Sequence, residues 1–458
     1  MPIRFASVVL VFVLLNLSTV WPGETEKTKR KPKPDDPASI ERGRKAVWSV
    51  SSPLTPTFGA WSSLWKRWGL DERPDDFLAR AQERYGLHAS PREGDSMPLG
   101  LKKMPTPFGP TLGHNCLPCH AGRIAGQTVI GLGNASLDLQ SLLEDLTARE
   151  PIPVPMPFRI ANGRGIIEAS AGTIYLMQFR DKDVNMRPPR KLKYDDELCE
   201  DLPAWWLLKH KKTMFHTGPT SSRSTRANLS FFLNPLNSGE SIKAREPLVA
   251  DIFAYLRSLE PPKYPFPIDL QLAAKGKLVF AETCSECHGT YGKDRHYPNR
   301  IVPVKEVGTD PVLASFGASE DLDFYRANWL YQETGPDGEP YHLLNHGGYQ
   351  APPLDGVWAT APYFHNGSVP TLAGVVDSTS RPKIYTRSFG TEKEDYDPVR
   401  VGWKITRVSA EAVSKAKGHE LRRITDTRRR ARGNQGHTFG DGLSPNQRKA
   451  LLEYLKTL

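Results

Sequence analysis

The chain has 458 residues, 38% of them hydrophobic and 24% charged, with a formal net charge of +10. This length and apolar content exclude an intrinsically disordered chain and leave room for two or three domains, each with its own core. The basic balance reads first as solubility and otherwise suits encounter with acidic redox partners or anionic surfaces, and the basic run from Arg422 to Arg432 (RRITDTRRRAR) has no interleaved aromatic residues, which argues against nucleic-acid binding.

Met1 to Val20 holds one arginine, Arg4, followed by an apolar run, the pattern of a secretory signal. No clean small-residue cleavage site follows, so an uncleaved N-terminal membrane anchor is the alternative. Residues 24–37 are charged and proline-rich with almost nothing apolar, and read as a tether. Two amphipathic stretches, 39–48 and 75–84, predict helices, the second with Asp75 near its start and Gly86 beyond its end.

Cys116-Leu-Pro-Cys119-His120 then presents two thiols three positions apart and an adjoining imidazole, and Cys284-Ser-Glu-Cys287-His288 repeats the constellation. Each thiol can form a thioether with a haem vinyl group while the histidine reaches the iron, so the two motifs predict two covalently bound haem c groups. With 5 cysteines and 12 histidines, a shuffled chain would rarely contain even one such pattern. A shared zinc site or disulfides would leave both trailing histidines without a role. Because haem is attached to this motif outside the bacterial cytoplasmic membrane, signal and motifs give the same address, periplasmic or secreted. The fifth cysteine, Cys199, reads as a free, partly buried thiol.

After the first motif, glycines at 122, 126, 131 and 133 permit close backbone approach, and a helix is expected to open at Asn134 or Ser136. His114 lies too near Cys116 to reach the opposite haem face and reads as structural. Residues 151–157 (PIPVPMP) form a stiff extended segment. Between 201 and 216 the chain gathers Trp205, Trp206, His210, Met214 and His216. The tryptophans could relay electrons between haems or simply pack in a core. His216, His210 and Met214 are candidate distal ligands of the first iron, whereas Phe231 and Phe232 could form an apolar wall that leaves it open. Residues 252–259 (IFAYLRSL) match 451–458 (LLEYLKTL), as expected if each haem domain closes with a helix packed on its opening helix. The proline-rich stretch 261–267 is the linker, and 272–283 predicts an amphipathic helix leading into Cys284.

Residues 349–372 (YQAPPLDGVWATAPYFHNGSVPTL) resemble a signature of the bacterial di-haem cytochrome c peroxidase superfamily, which includes the methylamine-utilisation di-haem oxidases and the rubber oxygenases. Trp205-Trp206, Val307-Gly-Thr-Asp-Pro311 and Gly433-Asn-Gln-Gly-His-Thr-Phe-Gly440 look closest to the rubber-oxygenase-like branch. The resemblance implies a mainly α fold of two class I cytochrome c-like haem domains with long loops. The chain then divides into a signal or anchor (1–23), a charged linker (24–37), an N-terminal haem domain (38–264) and a C-terminal cytochrome c domain (265–458).

By the same resemblance, His120 and His288 are proximal ligands, and His437 is a distal ligand of the second haem, with His365 and His346 as competitors. The position where peroxidases carry a methionine ligand is Thr379, and the position of their displaceable histidine on the first haem is Ser136. The first iron could then be open to peroxide or dioxygen. The function implied is an oxidoreductase with one reactive haem and one electron-transfer haem, served by a redox protein of small cytochrome or cupredoxin type. Two alternatives stand beside it: an electron carrier without its own substrate, and a rubber-oxygenase-like dioxygenase of an unsaturated organic compound. Calcium between the domains is a further cofactor that the resemblance raises.

Overall fold

The computed structural model describes residues 36–106, 109–150, 156–190, 197–234, 237–316 and 322–458. The expected signal or anchor, nearly all of the tether and most of the proline segment 151–157 lie outside the described residues.

Four helices carry the frame: α1 (Pro37–Ser49), α2 (Glu246–Ser258), α3 (Leu270–Thr283) and α4 (Pro445–Leu455). Their starts are written locally. The Asp36 carboxylate accepts from Ala38 N and Asp269 from Leu272 N, and Ser444 with Gln447 forms a capping box ahead of α4. α1 packs on α2, and α3 packs on α4. Each crossing is made at a glycine: a Cβ on Gly43 would stand 1.9 Å from the Asp251 carbonyl oxygen, and one on Gly276 1.9 Å from that of Ala450. Arg42 and Arg44 flank the first glycine and Lys275 and Lys277 the second, so the opening helices repeat as well as the closing ones.

The helix expected over 39–48 is α1, and that over 75–84 runs Phe77–Tyr85 and ends at Gly86 in the left-handed region (φ 67°). Both pack against the first CxxCH turn. Ala46 and Val47 share a cluster with Leu117 and Ala121, while Phe77, Ala81 and Tyr85 meet Cys119. The helix start expected at Asn134 or Ser136 is corrected. That helix runs Leu139–Thr147 with Asp138 as its cap. Asn134 forms a local turn instead, accepting from Ser136 N and donating its amide to the Gly86 and Pro118 carbonyls.

Helices outweigh strands, which are short and mostly paired as hairpins, and long loops connect them. One hairpin, Ala121–Ile124 with Gln127–Ile130, follows the first motif directly. Packing continues across residue 264: Leu330, Phe324 and Trp329 join a cluster built on Met177, Val249 and Phe253, and Trp358 Nε1 donates to the Pro262 carbonyl. Among the described residues, no helix is long and apolar enough to cross a membrane.

Candidate haem and redox site

Each CxxCH motif closes into a single helical turn, Leu117–His120 and Ser285–His288, with its first cysteine as N-cap. His120 N and His288 N each lie 3.0 Å from the carbonyl oxygen of that cysteine, which holds both thiols and the ring on one short turn. None of these cysteines is in a disulfide. Desolvation pulls His120 down to about 4 and lowers His288, so both rings are neutral at pH 7, the form that binds a metal. Both rings are partly exposed.

His288 Nδ1 lies 2.8 Å from the Pro352 carbonyl oxygen, which fixes that nitrogen as the donor and leaves Nε2 for a metal. The ring of His437 faces it, with centroids 6.2 Å apart and planes at 57°. Two imidazoles on opposite sides of one iron, each bonded at about 2 Å, have ring centres roughly 6 Å apart. The separation of the two ring centres is of that size. Burial, then the neighbouring His288 and Arg381, draws His437 down to about 4 and keeps it neutral.

His437 reaches this position through a strained loop. Gly436 (φ 74°) and His437 (φ 46°) are both left-handed, and a Cβ on Gly436 would lie 2.1 Å from the Gly308 carbonyl carbon. His437 N donates to the Val307 carbonyl at 2.6 Å. Arg381, stacked on Phe364 at 4.9 Å, donates to the carbonyls of Asn434, Gly436 and His437 at 2.7, 2.6 and 3.1 Å. Asn366 Nδ2 holds the Gly433 carbonyl at 2.9 Å, and Asp310 accepts from Gly433 N. Of the competitors, His365 stacks face to face on Tyr349 at 3.9 Å and His346 is exposed.

At the first motif, the ring of His120 stacks on Trp205 at 4.6 Å and 23°, and its Nδ1 is buried without a partner among the described residues. Trp206 is fully buried and donates Nε1 to the Asp355 carbonyl at 2.8 Å, three residues beyond Pro352. The two tryptophans thus join His120 to the segment whose Pro352 carbonyl bonds His288. Phe232 shares a cluster with Trp205, Leu117 and Ala121, whereas Phe231 is 47% exposed and meets Phe215. His216 Nε2 lies 2.8 Å from the Asp201 carbonyl, His210 approaches Asp355, and Met214 packs beside Asn228. Thr379 is exposed and bonds Asp377, and Ser136 donates to the Phe389 carbonyl. Cys199 is buried, as expected. Among the described residues, no group of three or more His, Cys, Asp or Glu side chains stands ready for a metal ion.

Residues 348–386 match the family model of RoxA-like, cytochrome c-like domains. The chain is cytochrome c-like there. The matched stretch holds Pro352, Phe364, Asn366 and Arg381, the groups that orient His288 and His437, and covalently bound haem c is what such a domain carries. The uncharacterized protein y4iJ of Sinorhizobium fredii is 29% identical over 281 residues, covering 48% of this chain and 44% of its own length. The uncharacterized protein y4iM of the same organism is 29% identical over 261 residues, covering 47% of this chain and 58% of its own length. The chain spans about half the length of these curated relatives. A hydrazine synthase structure from Kuenenia stuttgartiensis aligns at 14% identity and TM-score 0.27, over 68% of this chain and 98% of that one.

Arg381, Asn366 and Pro352 escaped the sequence reading because they act through backbone groups far away in the chain. The one local signal was that two of them lie inside or beside the 349–372 signature.

Proposed function

We propose that the protein is a di-haem c-type cytochrome acting as an extracytoplasmic oxidoreductase on peroxide or dioxygen. The facing of His288 and His437 at 6.2 Å, with Pro352 holding Nδ1 of His288, is the observation that carries this reading. Cys284 and Cys287, with His288 and His437, would hold the electron-transfer haem, and Cys116, Cys119 and His120 would hold the reactive one. Covalent haem supplies reversible one-electron chemistry and, where an axial position is open, activation of an oxidant.

The side chains divide the work. The Pro352 carbonyl strengthens His288 as a donor, whereas His120 has no such acceptor among the described residues, so the second site is expected at the lower potential. His216 is engaged by Asp201, which favours an open first site over the electron-carrier alternative. Trp205 stacks on His120 and the adjoining Trp206 donates to the Asp355 carbonyl, so a ring stack, one peptide link and a hydrogen bond would connect the sites. Electrons would come from a small cytochrome or cupredoxin meeting the basic surface. The RoxA-like match favours a second reading, oxygenation of an unsaturated organic substrate by the same first site.

Low-temperature electron paramagnetic resonance of the oxidised holoprotein tests the assignment. A low-spin signal from the bis-histidine site and a high-spin signal that peroxide abolishes are expected. Two low-spin signals that peroxide leaves unchanged would make the protein an electron carrier.

A further inference from the structure

Arg164 from the N-terminal half and Arg387, Arg423 and Arg432 from the C-terminal half line one cavity of about 30 Å³, with Phe389 and Trp403 in its wall. That space suits about two waters or one small oxyanion. Arg164, Arg387 and Arg432 are only 8%, 8% and 3% exposed. Arg422 and Arg428, their sequence neighbours, pair with Asp138, Glu144 and Asp426. Among the described residues none of the four cavity arginines has such an ion pair, and no lining residue is acidic.

Arg164, Arg387 and Arg423 surround the single ring of Phe389 at 4.6, 4.4 and 5.1 Å, and Arg387 also covers Trp403 at 4.2 Å. The carbonyls of Ser136, Glu83 and Ala135 accept part of their hydrogen bonds. Arg164 Nη1 and Arg432 Nη2 are nonetheless buried without a hydrogen-bond partner among the described residues. Burial first, and then the neighbouring guanidinium groups, draws Arg387 down to about 9 and Arg164 to about 10, so both remain charged at neutral pH. Asp138 and Glu83 near Arg164 and Asp395 near Arg387 offset this in part without lining the cavity, and buried like charges without a paired acid are costly unless an anion completes the cluster.

We propose that this four-arginine cavity binds a carboxylate or small oxyanion that bridges the two halves of the chain. The planar forks suit a bidentate, two-oxygen ligand. Two sources share that chemistry: a free anion such as phosphate, or a propionate of the haem attached at Cys116 and Cys119. The second rests on the di-haem reading and on one connection, since Ala135 lines the cavity and the preceding Asn134 N donates to the Cys119 carbonyl at 2.8 Å.

The test uses the full-length holoprotein with inorganic phosphate as probe, added at constant ionic strength, beside the variants Arg164→Gln and Arg432→Gln. A saturable rise of about 2 °C or more in the melting midpoint that both variants lose supports the site and identifies a free anion. No response to phosphate, together with a lowered potential of one haem in the variants, supports the site with a propionate as its occupant. Unchanged potentials without a phosphate response overturn the proposal, as does a phosphate response that persists at full size in both variants. The wild-type titration needs no variant to fold, and either substitution alone suffices for the potential measurement. Its outcome is separable from that of the haem assignment, because phosphate binding is read by melting and not by spin state.

Discussion

Replacing Arg381 with methionine should release His437, the proposed distal ligand of the second haem, without removing it. Arg381 is 9% exposed and donates to the carbonyls of Asn434, Gly436 and His437, the backbone that turns His437 toward His288. Asn434, Gly436 and His437 are half-buried, so each carbonyl left without its donor costs about 1 kcal/mol and the three about 3 kcal/mol, besides the Gly374 and Val375 carbonyls that Arg381 also holds. The left-handed backbone at His437 (φ 46°) adds about 1 kcal/mol of strain that those bonds hold in place. A domain is stable by only about 5 to 15 kcal/mol, so swinging 434–437 outward is the cheaper response than keeping three bare carbonyls. Methionine retains an apolar contact with Phe364, which limits the damage to the loop. The oxidised variant should lose the low-spin signal of the second haem at pH 7 and keep its full haem content, read by electron paramagnetic resonance and haemochrome absorbance. An unchanged low-spin signal with an unchanged melting midpoint would refute both the role of Arg381 and the magnitude assigned to it.

Other residues give independent tests. Gly276→Ala, and likewise Gly43→Ala, pushes a methyl against a helix carbonyl at 1.9 Å and should cost about 2 to 4 kcal/mol in thermal melts. Trp206→Phe removes the donor to Asp355, which should cost about 1 to 3 kcal/mol and slow electron equilibration between the sites in stopped-flow reduction. Asp138 is fully buried; desolvation raises its pKa, but hydrogen bonds from His419 and Ser141 and the charge of Arg422 outweigh that and hold it below the usual carboxylate range. Its contribution is therefore present at neutral pH and lost as pH falls through the lowered value. The gap in urea midpoint between wild type and Asp138→Asn should be full at pH 7 and shrink below about pH 4.

The Arg422 to Arg432 run shows how far a local reading reaches. Its composition excluded a nucleic-acid face, yet a basic run could equally be solvated, and Arg432 instead faces a buried cavity completed by Arg164 and Arg387. The Asn134 turn is similar: cap-forming residue types stood at Asn134, Ser136 and Asp138, and contacts with Gly86 and Pro118 decided that Asp138 would cap.

What the sequence by itself determined is the chemistry that spans one or two turns. The CxxCH residues lie together because a single helical turn brings them together, and the opening and closing helices follow from caps and apolar spacing. Only the tertiary structure decided which side chains face each other across the fold. His437 meets His288 because Val307, Asn366 and Arg381 pin a left-handed loop, and Trp205 meets His120 because its turn lies over the first motif. Such pairings depend on backbone carbonyls and on close approach at glycine, which leave little trace in residue type along the chain.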